Sequence, residues 1–149
     1  MDAQLRHYED KLAFEIDPWD LKTALESGEN VVVVDARSPK AYQREHIRGA
    51  INIPHRNMTS ETTKHLSRSA LVVSYCDGIG CHASTKGALN LAKLGFRVKE
   101  LVGGIDWWKR DGHKTEGHAA SAPAADCGCD MTLPHSAALQ GTRDEAARP

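Results

Sequence analysis

Residues Val31 to Val34 are four valines in a row, with no polar residue between them. A strand with one wet face alternates apolar and polar side chains. An unbroken β-branched run reads instead as a strand covered on both faces, which is the mark of a mainly parallel sheet. Leu71 to Tyr75 and Phe96 to Val102 read as further strands, the second also as a buried one, and Ile51 to Pro54 as a shorter strand closed by proline. Helical patterns separate them, so the chain is expected to be an α/β domain around a mostly parallel sheet. In such sheets ligands bind beyond the carboxyl ends of the strands.

The helical patterns carry clear start and stop signals. Leu5, Tyr8, Leu12 and Ile16 recur at three- and four-residue intervals, predicting a first helix over residues 1–16. Asp17 is placed to cap a second helix, with Pro18 at its first position and Asp20 near its positive end. Leu21, Ala24 and Leu25 form its apolar stripe and Gly28 ends it. Ser38 and Pro39 repeat the cap for a short helix holding Ala41 and Tyr42, and residues 46–50 read as a turn. Residues 55–70 suit a loop or a short surface helix. A helix over 83–94 is expected to face the core with Ala88, Leu91, Ala92 and Gly95. Gly103 and Gly104 turn the chain into a last helix, on which Trp107 and Trp108 read as a surface-and-core pair. The organisation predicted is an N-terminal helical extension over 1–16, a domain over 17–116, and a tail over 117–149. The tail is rich in Ala, Gly, Pro and Ser and too poor in large apolar side chains to offset the entropy of ordering, so disorder is expected there.

Composition excludes several roles. The formal net charge of −1 on 149 residues offers no general attraction to nucleic acid or to an anionic membrane. No apolar run is long enough to span a bilayer, and the charged start lacks the apolar centre of a secretory signal. A cytoplasmic location is the expectation. In that compartment the four cysteines suit catalysis, redox chemistry or metal binding better than a disulfide framework.

Cys76 is the residue best placed for chemistry. It ends a predicted strand, a loop with Gly78 and Gly80 follows, and a helix begins near His82. Amides and a helix N-terminus facing the sulfur would favour thiolate over thiol, and the glycines would let amides turn inward into an anion-binding nest. A buried core cysteine is the alternative. Cys81 either resolves a modified Cys76 as a disulfide or simply packs at the helix start. Cys127 and Cys129 form a lone C-x-C, which reads as no fixed role, a thiol relay or half of a metal site; a C-x-C by itself falls short of a zinc ligand set.

Three blocks, taken together, resemble the single-domain rhodaneses (thiosulfate sulfurtransferase family). They are DARSPKAYQREHIRGAINIP at 35–54, YCDGIGCHAS at 75–84 and LAKLGFRVKELVGGIDWWKRDG at 91–112. With the Asp17-Pro18 helix, the resemblance covers residues 12–116 in the family's order. It implies a three-layer domain with helices on both faces of the sheet. It also implies a persulfide on Cys76 that takes sulfane sulfur from a donor and passes it to cyanide, a small thiol or a protein acceptor. No cofactor or metal is expected. Asp77, Gly78, Ile79, Gly80, Cys81 and His82 fall on the loop whose amides cradle the transferred sulfur, and Asp35 and Arg37 fall on a pair that frames the pocket. Gly103, Gly104 and Trp108 match the family's double glycine and its tryptophan.

The loop departs from the family in one respect. Many rhodaneses carry Arg or Lys there to bind thiosulfate, whereas no Arg or Lys lies between Cys76 and Lys86. Small persulfides such as glutathione persulfide therefore stand beside thiosulfate as donors. Phosphatases and arsenate reductases of the same fold need an Arg six residues after the cysteine to clamp phosphate, and His82 stands there. A sulfur carrier without turnover, or a redox module using Cys76 and Cys81, is the nearer alternative.

Overall fold

The computed structural model describes residues 2–120. Five parallel strands form the central sheet, in the order β1 (Glu15–Ile16), β6 (Arg97–Leu101), β5 (Leu71–Tyr75), β2 (Val31–Asp35), β4 (Ile51–Asn52). The valine run lies at full register beside β5, Val31 opposite Leu71 and Asp35 opposite Tyr75. Successive side chains go to opposite faces, and both faces are covered. Val33, Val73 and Tyr75 pack with Leu21 of α2 (Pro18–Glu26) and with Ile105 and Trp108 of α5 (Gly104–Arg110). Val34 and Val72 pack on the other face with Leu91 of α4 (Ala83–Lys93) and with Met58 and Leu66. Helices lie on both faces, giving three layers.

The caps form as the side chains dictate. The Asp17 carboxylate accepts from the Asp20 amide at 2.8 Å with Pro18 in the first helical position, and Ser38 caps α3 (Pro39–Arg44) in the same manner. Trp108 is buried and Trp107 exposed, as the paired tryptophans suggest.

Five local expectations are corrected. The strand expected to be buried over 96–102 is not covered on both faces: in β6 only Leu101 is buried and Arg97 is exposed, because the strand carries Arg97, Lys99 and Glu100 and lies next to the edge strand β1. Ile16 does not extend the first helix. α1 (Asp2–Phe14) stops before it, and Glu15 and Ile16 pair with Glu100 and Leu101 at the sheet edge. The stripe of Leu5, Tyr8 and Leu12 faces solvent, because α1 is held at that edge by β1 and by Lys99, which donates to the Leu12 carbonyl at 3.0 Å. α4 is rotated from the expected face. Ser84, Gly87 and Leu91 point inward while Ala92 and Gly95 are exposed. The cause is close packing, since a Cβ on Gly87 would sit 2.8 Å from the Ser74 hydroxyl. Residues 46 and 47 are not only a turn, for β3 (His46–Ile47) pairs antiparallel with β7 (Thr115–Glu116). The 55–70 segment is a 3-10 turn followed by tight turns, and it buries Thr63 as well as Met58 and Leu66. Beyond β7, the His118 and Ala119 amides donate to carbonyls at the end of α3. Residues 121–149, with Cys127 and Cys129, lie outside the described residues.

Candidate active site around Cys76

Strand β5 delivers Cys76 to the carboxyl edge of the sheet, between the starts of α4 and α5. The loop backbone is pinned from the α5 side. The Ile105 amide donates to the Cys76 carbonyl and the Asp106 amide to the Asp77 carbonyl, each at 2.9 Å. Gly104 makes this approach possible. It has φ +59°, and a Cβ there would stand 2.4 Å from the Cys76 carbonyl oxygen. Only glycine meets both conditions.

The sulfur is buried, with 1% of the residue exposed. Three oxygens and the Ser84 backbone amide stand around it. The Cys81 carbonyl lies at 3.0 Å, the Gly78 carbonyl at 3.8 Å and the Ser84 hydroxyl at 3.2 Å. Ser84 is itself engaged, donating to Glu100 Oε1 at 2.6 Å, where Thr85 also donates at 2.8 Å. Burial pushes the Cys76 thiol above its ordinary value; hydrogen bonding from Ser84 opposes this and the Cys81 thiol adds to it. The expectation of amides gathered on a low-pKa thiolate is therefore not met in this state. Neither Gly78 nor Gly80 adopts positive φ, so the inward nest does not form, and carbonyl oxygens stand at the sulfur instead.

The expected loop residues take different positions. Asp77, Ile79, Gly80 and His82 are exposed, Gly78 and Cys81 are half-buried, and His82 precedes α4 without a side-chain cap. Cys76 and Cys81 are both free thiols. Cys81 touches two clefts. One, of about 300 Å³, is lined by Lys11, Glu15, Gly78, Ser84 and Glu100; the other, of about 400 Å³, by Arg37, His55, Arg56 and Asp77. The first is the cleft shared by the groups that ring the sulfur.

Asp35 and Arg37 form a buried ion pair, Nη2 to Oδ2 at 2.7 Å. Arg37 also reaches Asp77 at 2.8 Å and the Glu45 carbonyl at 2.6 Å. Burial disfavours the Arg37 charge, but Asp35 and Asp77 more than offset it, and the guanidinium is held more firmly protonated than usual. The Tyr75 hydroxyl donates to Asp35 Oδ2 at 2.7 Å and accepts the Ile47 amide at 3.0 Å. Arg37 thus joins the sheet edge to the start of the loop. Its charge is already matched by two carboxylates. Glu45 bonds Lys109 at 2.7 Å and Thr115 at 2.8 Å, tying the end of α3 to α5 and β7.

Ser84, Glu100 and Tyr75 fall inside the blocks that carry the resemblance, but the motifs assign them no role. Their signal is positional: Tyr75 and Glu100 end or nearly end adjacent strands, and Ser84 opens the helix beside them. Among the described residues no group of three or more His, Cys, Asp or Glu side chains could hold a metal, and no helix is long and apolar enough to cross a membrane.

Comparison with known proteins places these features in a family. Residues 17–111 match the model of the rhodanese-like domain. A chloroplastic thiosulfate sulfurtransferase of Arabidopsis thaliana is 28% identical over 95 residues, 56% of this chain and 78% of that protein. An HTH-type transcriptional regulator of Mycobacterium tuberculosis is 34% identical over 87 residues, and the match spans 58% of this chain but only 38% of the regulator. Among solved structures, a Bacillus halodurans protein superposes with a TM-score of 0.77 at 40% identity, covering 87% of this chain and 94% of that one. The solution structure of a rhodanese-like domain from Anabaena gives a TM-score of 0.63 at 26% identity, covering 91% and 95%.

Proposed function

The chain belongs to the rhodanese-like domain family, and we propose that it works there as a sulfurtransferase with Cys76 as the sulfur-carrying residue. The observation that carries this reading is the placement of Cys76. It follows β5 at the carboxyl edge of a parallel sheet, under a cleft, with α4 and α5 starting on either side. The Arabidopsis relative, named a thiosulfate sulfurtransferase, supports the reaction class.

In the first step Cys76 loses its proton and the thiolate attacks the outer sulfur of the donor. A Cys76 S–S bond forms, the donor's S–S bond breaks, and sulfite or a small thiolate leaves with the bonding pair. In the second step a nucleophile such as cyanide or a thiolate takes that outer sulfur, and Cys76 leaves as thiolate. No net oxidation occurs and no cofactor is required. Asp35, Arg37 and Asp77 hold the loop that presents the sulfur, and the loop through His82 forms its surroundings. The acceptor is a small thiol, cyanide or a protein thiol. A carrier that hands sulfur to one partner differs only in failing to turn over with small acceptors.

Intact-mass spectrometry after exposure to thiosulfate or to glutathione persulfide tests the reading. Wild type should gain one sulfur atom, and Cys76→Ser none. Sulfur still retained by Cys76→Ser, and lost only in Cys127→Ser or Cys129→Ser, would place the chemistry in the tail. A second reading, that Cys81 resolves the persulfide, is favoured by the two free thiols sharing this loop. It predicts a Cys76–Cys81 disulfide with release of sulfide in wild type, absent in Cys81→Ser.

A further inference from the structure

The charge around the sulfur points to a residue that no loop motif contains. The Cys76 thiol faces two carbonyl oxygens, which only accept, and Ser84, whose hydroxyl donates to Glu100 at 2.6 Å and whose backbone amide stays as a donor beside the sulfur. The carbonyls favour S–H over S⁻, against the pull of Ser84. The carboxylate of Glu100 draws the Ser84 hydroxyl away from the sulfur. With position 100 neutral, that hydroxyl could rotate and donate to a thiolate instead.

Glu100 is also the uncompensated charge of the cleft. β1 pairs with β6 so that Glu15 stands opposite Glu100, but Glu15 is held by Lys11, with both carboxylate oxygens within 3.0 Å of Nζ. Lys99, next in the strand, is committed to the Leu12 carbonyl. Among the described residues no Lys or Arg pairs with Glu100; its partners are the Ser84 and Thr85 hydroxyls. The other ionisable groups around these cleft walls are His7 and Asp10 of α1, and Cys81 and His82 of the loop.

We propose that Glu100, acting through Ser84, holds Cys76 in its thiol form and selects against anionic sulfur donors, so that the site takes neutral or cationic persulfides in preference to thiosulfate. Glu100 is a positioning and specificity residue, and the proposal rests on Cys76 being the nucleophile. A dianionic donor meets the unpaired carboxylate as it approaches and places further negative charge beside it in the transition state. A donor without net negative charge does not.

The test uses the full chain with Cys81, Cys127 and Cys129 replaced by serine, leaving Cys76 as its one thiol. The probes are two methanethiosulfonates of opposite charge, trimethylammonioethyl and sulfonatoethyl. With each, the Cys76 thiolate takes the thioalkyl group to form a mixed disulfide and methanesulfinate leaves. Rates are divided by those of the same reagents with 2-mercaptoethanol. The cationic reagent should be favoured by about tenfold at low salt, and the preference should shrink as salt screens the cleft. Glu100→Gln should bring the ratio close to one. It should also speed alkylation by neutral iodoacetamide about tenfold near pH 7.5, with the pH–rate midpoint about one unit lower. Equal normalised rates in the parent chain, which needs no substitution at position 100, overturn the proposal, as does a ratio or midpoint unmoved by Glu100→Gln. These readouts need no sulfur transfer. A chain that shows the charge preference yet never gains sulfur overturns the sulfurtransferase reading instead.

Discussion

At the scale of single residues, the Asp35–Arg37–Tyr75 cluster stabilises the ground on which the loop stands. Its members are buried and mutually satisfied, so removing one partner strands another. Asp35→Asn leaves the buried Arg37 charge matched by the exposed Asp77 alone and should destabilise the domain by about 3 kcal/mol in urea unfolding. Tyr75→Phe leaves the Ile47 amide without its partner and removes one hydrogen bond from Asp35 Oδ2, which keeps those from Arg37, costing about 1–3 kcal/mol. Tyr75 also predicts a pH dependence. Burial, followed by the charge and hydrogen bond of Asp35, holds its hydroxyl well above the usual phenol range. The unfolded phenol ionises near pH 10 while the folded one stays protonated, so the stability it contributes is present below about pH 10 and lost as pH rises past it. Urea midpoints taken from about pH 9 to about pH 11 should fall in wild type and fall less in Tyr75→Phe. Asp35 and Arg37 were legible through the resemblance, which sets them at the pocket. Tyr75 was not, because a tyrosine at the end of an apolar strand looks like core until its hydroxyl is seen to reach Asp35.

At the scale of elements, the beginnings of α4 and α5 define the site. Gly104→Ala should cost about 1–3 kcal/mol or more and change the alkylation rate of Cys76, since the new methyl meets the Cys76 carbonyl. Gly112→Ala is the control: φ is +78° there with open space around it, so it should cost about 1 kcal/mol and leave the Cys76 rate unchanged. His113, just after α5, is buried against Trp108 with ring centroids 4.5 Å apart, and its Nε2 has no partner. Burial lowers its pKa. The unfolded imidazole therefore takes up a proton before the folded one, and the stability this gives, full above about pH 6.5, is lost as pH falls. His113→Leu should flatten that acid limb in thermal melts. Helix starts were legible because Asp17-Pro18 and Ser38-Pro39 bond locally. The facing of α4 was not, because Ser84 and Gly87 point inward on account of their size, which no hydrophobic period records.

At the scale of the whole molecule, the layer order follows from the apolar strands β2 and β5 near the middle of the sheet, which are covered on both faces, and the positions of most elements were readable from chain order alone. The N-terminal helix is the exception. Its apolar stripe suggested packing, yet none of its residues is buried, because a two-residue strand pairing fixes it to the edge without covering that face. Deleting residues 2–14 should accordingly leave a folded domain whose melting temperature changes by no more than about 4 °C. The same deletion removes Lys11 from Glu15, so the preference of Cys76 for the cationic methanethiosulfonate should rise.

The two bonds from α5 to the loop, Ile105 N–H to the Cys76 carbonyl and Asp106 N–H to the Asp77 carbonyl, give the molecule a built-in gauge. Both amide hydrogens belong to a helix outside the loop and are bonded to its first two carbonyls. Their exchange with deuterated water measures how often the loop lets go of α5. Each state of the cysteine, whether bare, sulfurated or bridged to Cys81, should leave its own exchange rate at these two amides, readable without touching the sulfur.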